Sequence, residues 1–257
     1  MDFAENFTCF SQNEVQAAHW AQNSVTLHPV IARYKCPECN DDIIEESIDV
    51  VSDDLTHDCH AVHVFTDKVF SYIKNTRQID IERAIIISDG CAAKYKSKIP
   101  FMDVSCSMND YDVSVERCYY GSRHGKNRCD GEAGVIKSNA RRAVKSGAII
   151  KDALTFFEVV KSLEKTPTGT QCKHSLRKII FVHSHEIQRE RPDRNAKTLA
   201  GTRKIHSLRG LSRGELATRR LSCFSEECVG LKYEKCLNTQ HVDKWKTTKM
   251  KHILLKS

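Results

Sequence analysis

Three acidic residues stand in stretches that suit metal-assisted phosphate chemistry. Asp2 lies in Met1-Asp2-Phe3-Ala4-Glu5-Asn6, Asp89 in Ile85-Ile86-Ile87-Ser88-Asp89-Gly90, and Asp130 in His124-Gly125-Lys126-Asn127-Arg128-Cys129-Asp130-Gly131. Carboxylates gathered from strand ends and a helix start can hold Mg²⁺ or Mn²⁺, which prefer oxygen ligands, against a phosphate group. In two-metal phosphoryl transfer the ions sit about 3.5–4 Å apart, one activating the attacking oxygen and the other stabilising the leaving oxygen. The chemistry indicated is cleavage and transfer of nucleic-acid strands. His124, Lys126 and Arg128 could meet phosphates beside Asp130, and Arg141, Arg142 and Lys145 suit contact with a DNA backbone. The competing readings are a turn-forming Asp-Gly pair at Asp89, an ordinary basic loop, and a solvated helix face.

A second set of residues could bind a softer metal. Cys36-Pro37-Glu38-Cys39 has zinc-knuckle spacing, and His57, Cys59, His60 and His63, about twenty residues on, could complete a tetrahedral site. Against this, the pair falls in a hairpin turn. Cys223, Cys228 and Cys236, with His241 nearby, form an irregular Cys-x4-Cys-x7-Cys cluster that could also hold Zn²⁺. Trp20 and Trp245 could stack on bases or simply pack, and the basic loop Gly201-Thr202-Arg203-Lys204 with His206 has no assignable role.

The elements that must position these residues follow from apolar periodicity. Residues 25–34 and 43–51 read as a hairpin of two strands, rich in β-branched residues, with Cys36 to Asp42 as the turn. Ser52-Asp53-Asp54 precedes a helix in which Val62, Phe65, Val69, Phe70 and Ile73 recur at helical spacing. A buried-type strand over 79–87 runs into Asp89, and a short helix is expected to start between Cys91 and Lys98. A strand over 112–120, a basic helix over 131–147 with Val135, Ala140 and Val144 as its apolar face, a helix over 149–163 and a strand over 178–183 follow. Beyond about residue 187 charges dominate, so residues 187–257 read as a loosely structured basic region holding the last cysteines. A hairpin followed by alternating helices and strands implies an α/β fold with a mixed sheet.

Charge and composition narrow the classes. The 257 residues carry a net charge of +7, but residues 1–60 hold two basic and twelve acidic residues, and residues 117–257 hold 31 basic and 13 acidic. A cationic half beside an acidic part suits a polyanionic partner such as DNA held near a metal centre. No apolar run is long enough to span a membrane, and the polar N-terminus is not a secretory signal. The expected location is therefore nuclear or cytoplasmic, with the twelve cysteines mostly reduced.

The series Asp2-Phe3-Ala4-Glu5-Asn6, Glu14 to Trp20, Val25-Thr26-Leu27-His28-Pro29, Ser52 to Asp58, Ser88 to Lys96, His124-Gly125-Lys126 and Cys129-Asp130-Gly131 resembles transposase-derived animal proteins of the ribonuclease H-like DDE/DDD transposase and integrase superfamily. The resemblance covers residues 2–160 and, more loosely, the remainder. It implies a ribonuclease H-like mixed five-stranded sheet flanked by helices over residues 1–186, with residues 187–257 as a C-terminal extension. It implies the first acid on the first strand, here Asp2, the second after the fourth strand, here Asp89, and the third on a later helix, here Asp130 with Glu132 as the alternative. Only Met1 precedes Asp2, so the first strand is expected to be truncated. The implied activity is DNA strand cleavage and transfer with Mg²⁺ or Mn²⁺. The alternatives are a non-catalytic, transposon-derived nucleic-acid-binding protein and a zinc-dependent interaction module.

Overall fold

The computed structural model describes residues 1–9, 23–39, 42–121, 128–164 and 176–251. In chain order its elements are β1 (Phe7–Thr8), β2 (Ser24–Cys36), β3 (Asp42–Ser52), α1 (Cys59–Ser71), β4 (Arg83–Ser88), α2 (Lys98–Tyr111), β5 (Ser114–Tyr119), α3 (Arg128–Lys145), α4 (Ala153–Lys161), β6 (Arg177–Val182), β7 (Ser207–Ser212), β8 (Glu215–Arg219), α5 (Glu226–Val229), α6 (Thr239–Val242) and β9 (Lys246–Lys249). The class is α/β with two mixed sheets. One has four strands in the order β1-β2-β3-β6, and the other has five in the order β4-β5-β7-β8-β9.

Two compact units emerge, and both are discontinuous in sequence. The first comprises the described residues of 1–57, 64–80 and 126–188, and the second those of 58–63, 81–125 and 189–257. One unit boundary falls between residues 188 and 189, and residues 189–251 share a unit with β4, α2 and β5.

The four-stranded sheet lies in the first unit. β2 pairs antiparallel with β3 over its full length, Thr26 opposite Ser52 and Cys36 opposite Asp42, and β3 pairs parallel with β6. Backbone pairing reaches beyond β1 at both ends: Ala4 N–H donates to the Leu27 carbonyl at 2.9 Å, and Cys9 N–H to the Asn23 carbonyl at 2.8 Å. Burial alternates over Phe7, Thr8 and Cys9, inward, outward and inward, the two-residue period of a strand, while Phe3 is buried and Glu5 exposed. Phe7 meets Phe156 of α4, ring centroids 4.7 Å apart. The core around them joins Val25 and Leu27 of β2 and Val51 of β3 to Ala133, Ile136, Ala140 and Val144 of α3 and to Ala153, Phe156 and Val160 of α4. The buried stripe of α3 therefore runs Cys129, Ala133, Ile136, Ala140, Val144, and Val135, expected on that face, is exposed.

The five-stranded sheet lies in the second unit. β4 and β5 are parallel, and β7, β8 and β9 extend the sheet antiparallel from β5. Three strands thus come from the region expected to be loosely structured. Where a short helix is expected to start, residues 91–96 form turns closed on the Cys91 carbonyl, and α2 begins at Lys98. α2 packs closely on β7, where a β-carbon at Gly210 would overlap the Val104 carbonyl oxygen, so the close approach requires glycine. Among the described residues no helix is long and apolar enough to cross a membrane.

Candidate metal centres

Asp2 and Asp130 belong to the first unit and Asp89 to the second. Asp2 sits on the paired edge segment: its N–H donates to the Pro29 carbonyl at 3.3 Å, and its Oδ1 accepts from Phe3 N–H at 2.8 Å. Phe3 is buried against His28, Phe65 and His57, the His57 ring stacked on it at 4.3 Å and held by Thr26 Oγ1 at 3.1 Å from Nε2. The N-terminal end of α3 lies close by. Burial raises the Cys129 thiol pKa, the chain's amino terminus opposes that rise, and the Asp2 carboxylate adds to it. The charge of Asp2 is thus felt at the residue just before Asp130, which is exposed in the first turn of α3.

Glu132, one residue beyond Gly131, faces a different environment. It is ion-paired to Arg177 of β6. Asp49 of β3 faces the same pair; burial raises its pKa well above the ordinary range, the charge of Glu132 adds to this, and Arg177 opposes it. Glu132 is therefore committed to an internal carboxyl–guanidinium group, which leaves Asp130 as the solvent-facing acid of this turn.

Asp89 follows β4 directly. Its Oδ1 accepts from Cys91 N–H at 3.0 Å, closing the turn that an Asp-Gly pair favours. The turn holds Oδ1 of the carboxylate. Of the basic candidates, Arg128 is ion-paired to Glu45 at 2.5 Å, whereas Arg141, Arg142 and Lys145 lie exposed on the outer face of α3. His124 and Lys126 lie outside the described residues, as does Trp20.

Among the described residues, two groups of three or more side chains have the ligand types and spacing to hold a metal ion: Cys223, Cys228 and Cys236, and His63, Asp103 and Asp110. Both lie in the second unit. Cys36, Cys39 and Cys59 join neither group. Cys36 is buried at the end of β2 with its sulfur facing Arg77 Nη2 at 3.9 Å, and His63 turns to Asp103 and Asp110 instead.

The His63 group is already neutralised. Arg194 Nη2 donates to both carboxylate oxygens of Asp110 at 2.6 and 2.7 Å, its Nε donates to Asp103 at 3.0 Å, and Arg191 pairs with Asp103 as well. Tyr111 Oη meets His63 Nδ1 at 2.5 Å. Burial, followed by the charge of Arg191, pushes the His63 imidazole down to about 4, so it is neutral near pH 7. A cation entering here would have to displace two guanidinium groups. Asp103 and Asp110 were missed as candidates because their partners lie over eighty residues away. The available signal was their seven-residue spacing, two turns along one helix face.

The thiols form a separate buried group with Val242, against which Tyr233 is partly buried. Cys223 Sγ and Cys236 Sγ are 3.7 Å apart, Asn238 Nδ2 donates to Cys223 Sγ at 3.5 Å, and Arg219 Nη1 donates to Cys228 Sγ at 3.5 Å. Burial alone would raise the Cys223 pKa, but donors from the Ser225 backbone and the Asn238 side chain outweigh it and bring the thiol down to about 6. Trp245, read as either stacking on bases or packing, lies beneath Arg219 at 4.4 Å and Arg209 at 5.3 Å, with Tyr233 edge-on at 5.4 Å. Its ring is engaged within the unit.

A domain family of unknown function, DUF8701, has a family model that matches residues 1–222. The matched stretch contains Asp2, Asp89, Asp130 and the His63 group, and it stops one residue before Cys223. No match was found among curated proteins, and none among solved structures.

Proposed function

This chain belongs to the DUF8701 domain family, and we propose that it is a ribonuclease H-like DDE/DDD transposase-type protein in which Asp2, Asp89 and Asp130 hold Mg²⁺ or Mn²⁺ for cleaving and transferring DNA strands. The observation that carries the reading is the order of acids along the elements. Asp2 lies on the first segment paired to β2, Asp89 is one residue past the fourth strand, and Asp130 is in the first turn of a later helix. The ion pair of Glu132 with Arg177 favours Asp130 as the third acid. Oxygen ligands of this kind suit Mg²⁺ or Mn²⁺, whereas the thiols of the second unit suit Zn²⁺. The bound ions would supply an activated oxygen nucleophile and charge stabilisation at the leaving oxygen. The residues of this chain would position the ions, and exposed Arg141, Arg142 and Lys145 on α3 would hold the DNA backbone.

A second reading, non-catalytic DNA binding, rests on that exposed basic face alone. Purified full-length protein assayed on labelled duplex DNA with Mn²⁺ separates the two. The first reading expects metal-dependent strand breaks that Asp89→Asn and Asp130→Asn each reduce by about a hundredfold or more, while Glu132→Gln retains them. Cleavage that survives both Asp variants sinks it. Salt-sensitive binding without cleavage, weakened when Arg141, Arg142 and Lys145 are replaced together by Ala, selects the second.

A further inference from the structure

We propose that Cys223, Cys228 and Cys236 bind one structural Zn²⁺ ion, with the Ser225 hydroxyl or a water completing the tetrahedron, and that this ion stands in for an apolar core that residues 222–243 lack. The geometry is the first ground. The three sulfurs lie within 4.8 Å of one another, and Cys223 and Cys236 are 3.7 Å apart. Tetrahedral zinc with bonds of about 2.3 Å holds its sulfurs about 3.8 Å apart.

The packing of the same segment is the second, independent ground. Its large apolar side chains point outward: Phe224, Val229 and Leu231 are exposed, and Leu237 is 88% exposed. What it buries is three thiols and Val242. Its helices, Glu226–Val229 and Thr239–Val242, are single turns, too short to persist on their own hydrogen bonds. A segment that exposes leucine and buries cysteine gains little from the hydrophobic effect, whereas coordination supplies folding energy directly.

The surroundings fit a thiolate site. Zinc binding expels the thiol protons and leaves three thiolates around a divalent ion, a net negative charge. Arg219, 4% exposed, faces it, donating to Cys228 Sγ and to the Cys223 carbonyl, and is itself held by Glu116 at 3.8 Å. Such outer partners orient ligands and offset their charge. The hydroxyl of Ser225 lies 3.5 Å from Cys223 Sγ, within reach as a further ligand.

Full-length protein purified under reducing conditions and dialysed against metal-free buffer should retain about one zinc per chain. Cobalt exchanged into it should show thiolate-to-metal charge-transfer absorption. Cys228→Ser should lose both signals, and Cys39→Ser should keep them. Ser225→Cys, by adding a fourth thiolate, should intensify the cobalt absorption and slow metal release to a chelator. The cobalt measurement on the unaltered chain stands even if Cys228→Ser fails to fold. Absence of zinc, stoichiometric iron or copper in its place, or a Cys223–Cys236 disulfide in the reduced preparation overturns the proposal.

Discussion

Around Phe156 in the first unit, fourteen buried side chains among the described residues, most of them from β-strands, α3 and α4, form one apolar cluster; around Cys228 in the second unit, the buried cluster is three thiols and a valine. The first cluster draws on strands paired over many residues and on helices of two or more turns. The second is built from single turns whose leucines face outward. Burying a Leu, Ile or Phe side chain is worth about 1.5–3 kcal/mol. The first cluster repeats that gain many times, and the second has almost no residue that can make it. Two regions of one chain thus call for different physics: area removed from water in one and, on the zinc proposal, coordination in the other.

The strongest way to break this contrast is to remove the metal. Apparent binding free energies of structural zinc reach about 10 kcal/mol in small metal-folded domains. Treatment with a strong chelator should therefore abolish hydrogen-exchange protection in residues 222–243 while α3 and α4 keep theirs. Unchanged protection in 222–243 would erase the distinction. The reciprocal experiment is Phe156→Ala, which opens a cavity beside Phe7 where nothing else fills the space. The expected loss is about 3–5 kcal/mol in urea unfolding of the first unit, the same with and without zinc. A loss that zinc repairs would mean that the two regions are not energetically separate.

The apolar core was more legible in the sequence than the polar machinery. Branched runs bounded by turn residues announced β2, β3, β4, β5 and β6, because burial of a strand leaves a local pattern. On α3 the helix was evident but its face was set one residue off, Val135 for Ile136, since adjacent apolar residues leave the phase ambiguous. The length of α2 was missed because Pro100 and its many polar residues resemble a loop. Proline is tolerated in a first turn, and Asp103 and Asp110 are matched by arginines remote in sequence. β7 and β8 were hidden by Arg209 and Arg219, whose charges are absorbed by Trp245, Tyr233 and Glu116. The spacing of Cys223, Cys228 and Cys236 was visible as a possible site. The outward-facing leucines that argue for it were not, because which side of a short irregular segment is buried depends on the strands beneath it.

A smaller effect tests how the first unit tolerates charge. Asp49 has a folded-state pKa raised by burial, with Glu132 adding to the rise. Such a group binds its proton more tightly folded than unfolded. Its contribution is therefore full below the ordinary carboxyl pKa and is lost as pH rises from there through the folded value. Asp49→Asn removes that titration and leaves the Glu132–Arg177 pair in place. The stability of the variant should decline less with rising pH than that of the unaltered chain, measured as urea midpoints across a pH series. Parallel curves would mean that Asp49 is ionised in the folded protein.

The smallest expected effect has the opposite sign in pH and sharpens the role of α4 in the apolar core. Asp152 caps this helix: its Oδ1 accepts from Thr155 N–H at 2.8 Å, and Asp152 N–H donates back to Thr155 Oγ1 at 3.1 Å. The cap sets the phase in which Ala153, Phe156 and Val160 enter the core. Hydrogen bonds from Thr155 hold the Asp152 carboxyl below its ordinary value of 3.8. A depressed pKa contributes stability above the unfolded value and loses it as pH falls through the folded one. Asp152→Ala should therefore cost about 1 kcal/mol at neutral pH, with the difference from the unaltered chain shrinking in acid. A difference that instead persists undiminished in acid would assign the loss to packing around Ala153 and Phe156, making the cap incidental to the core it borders.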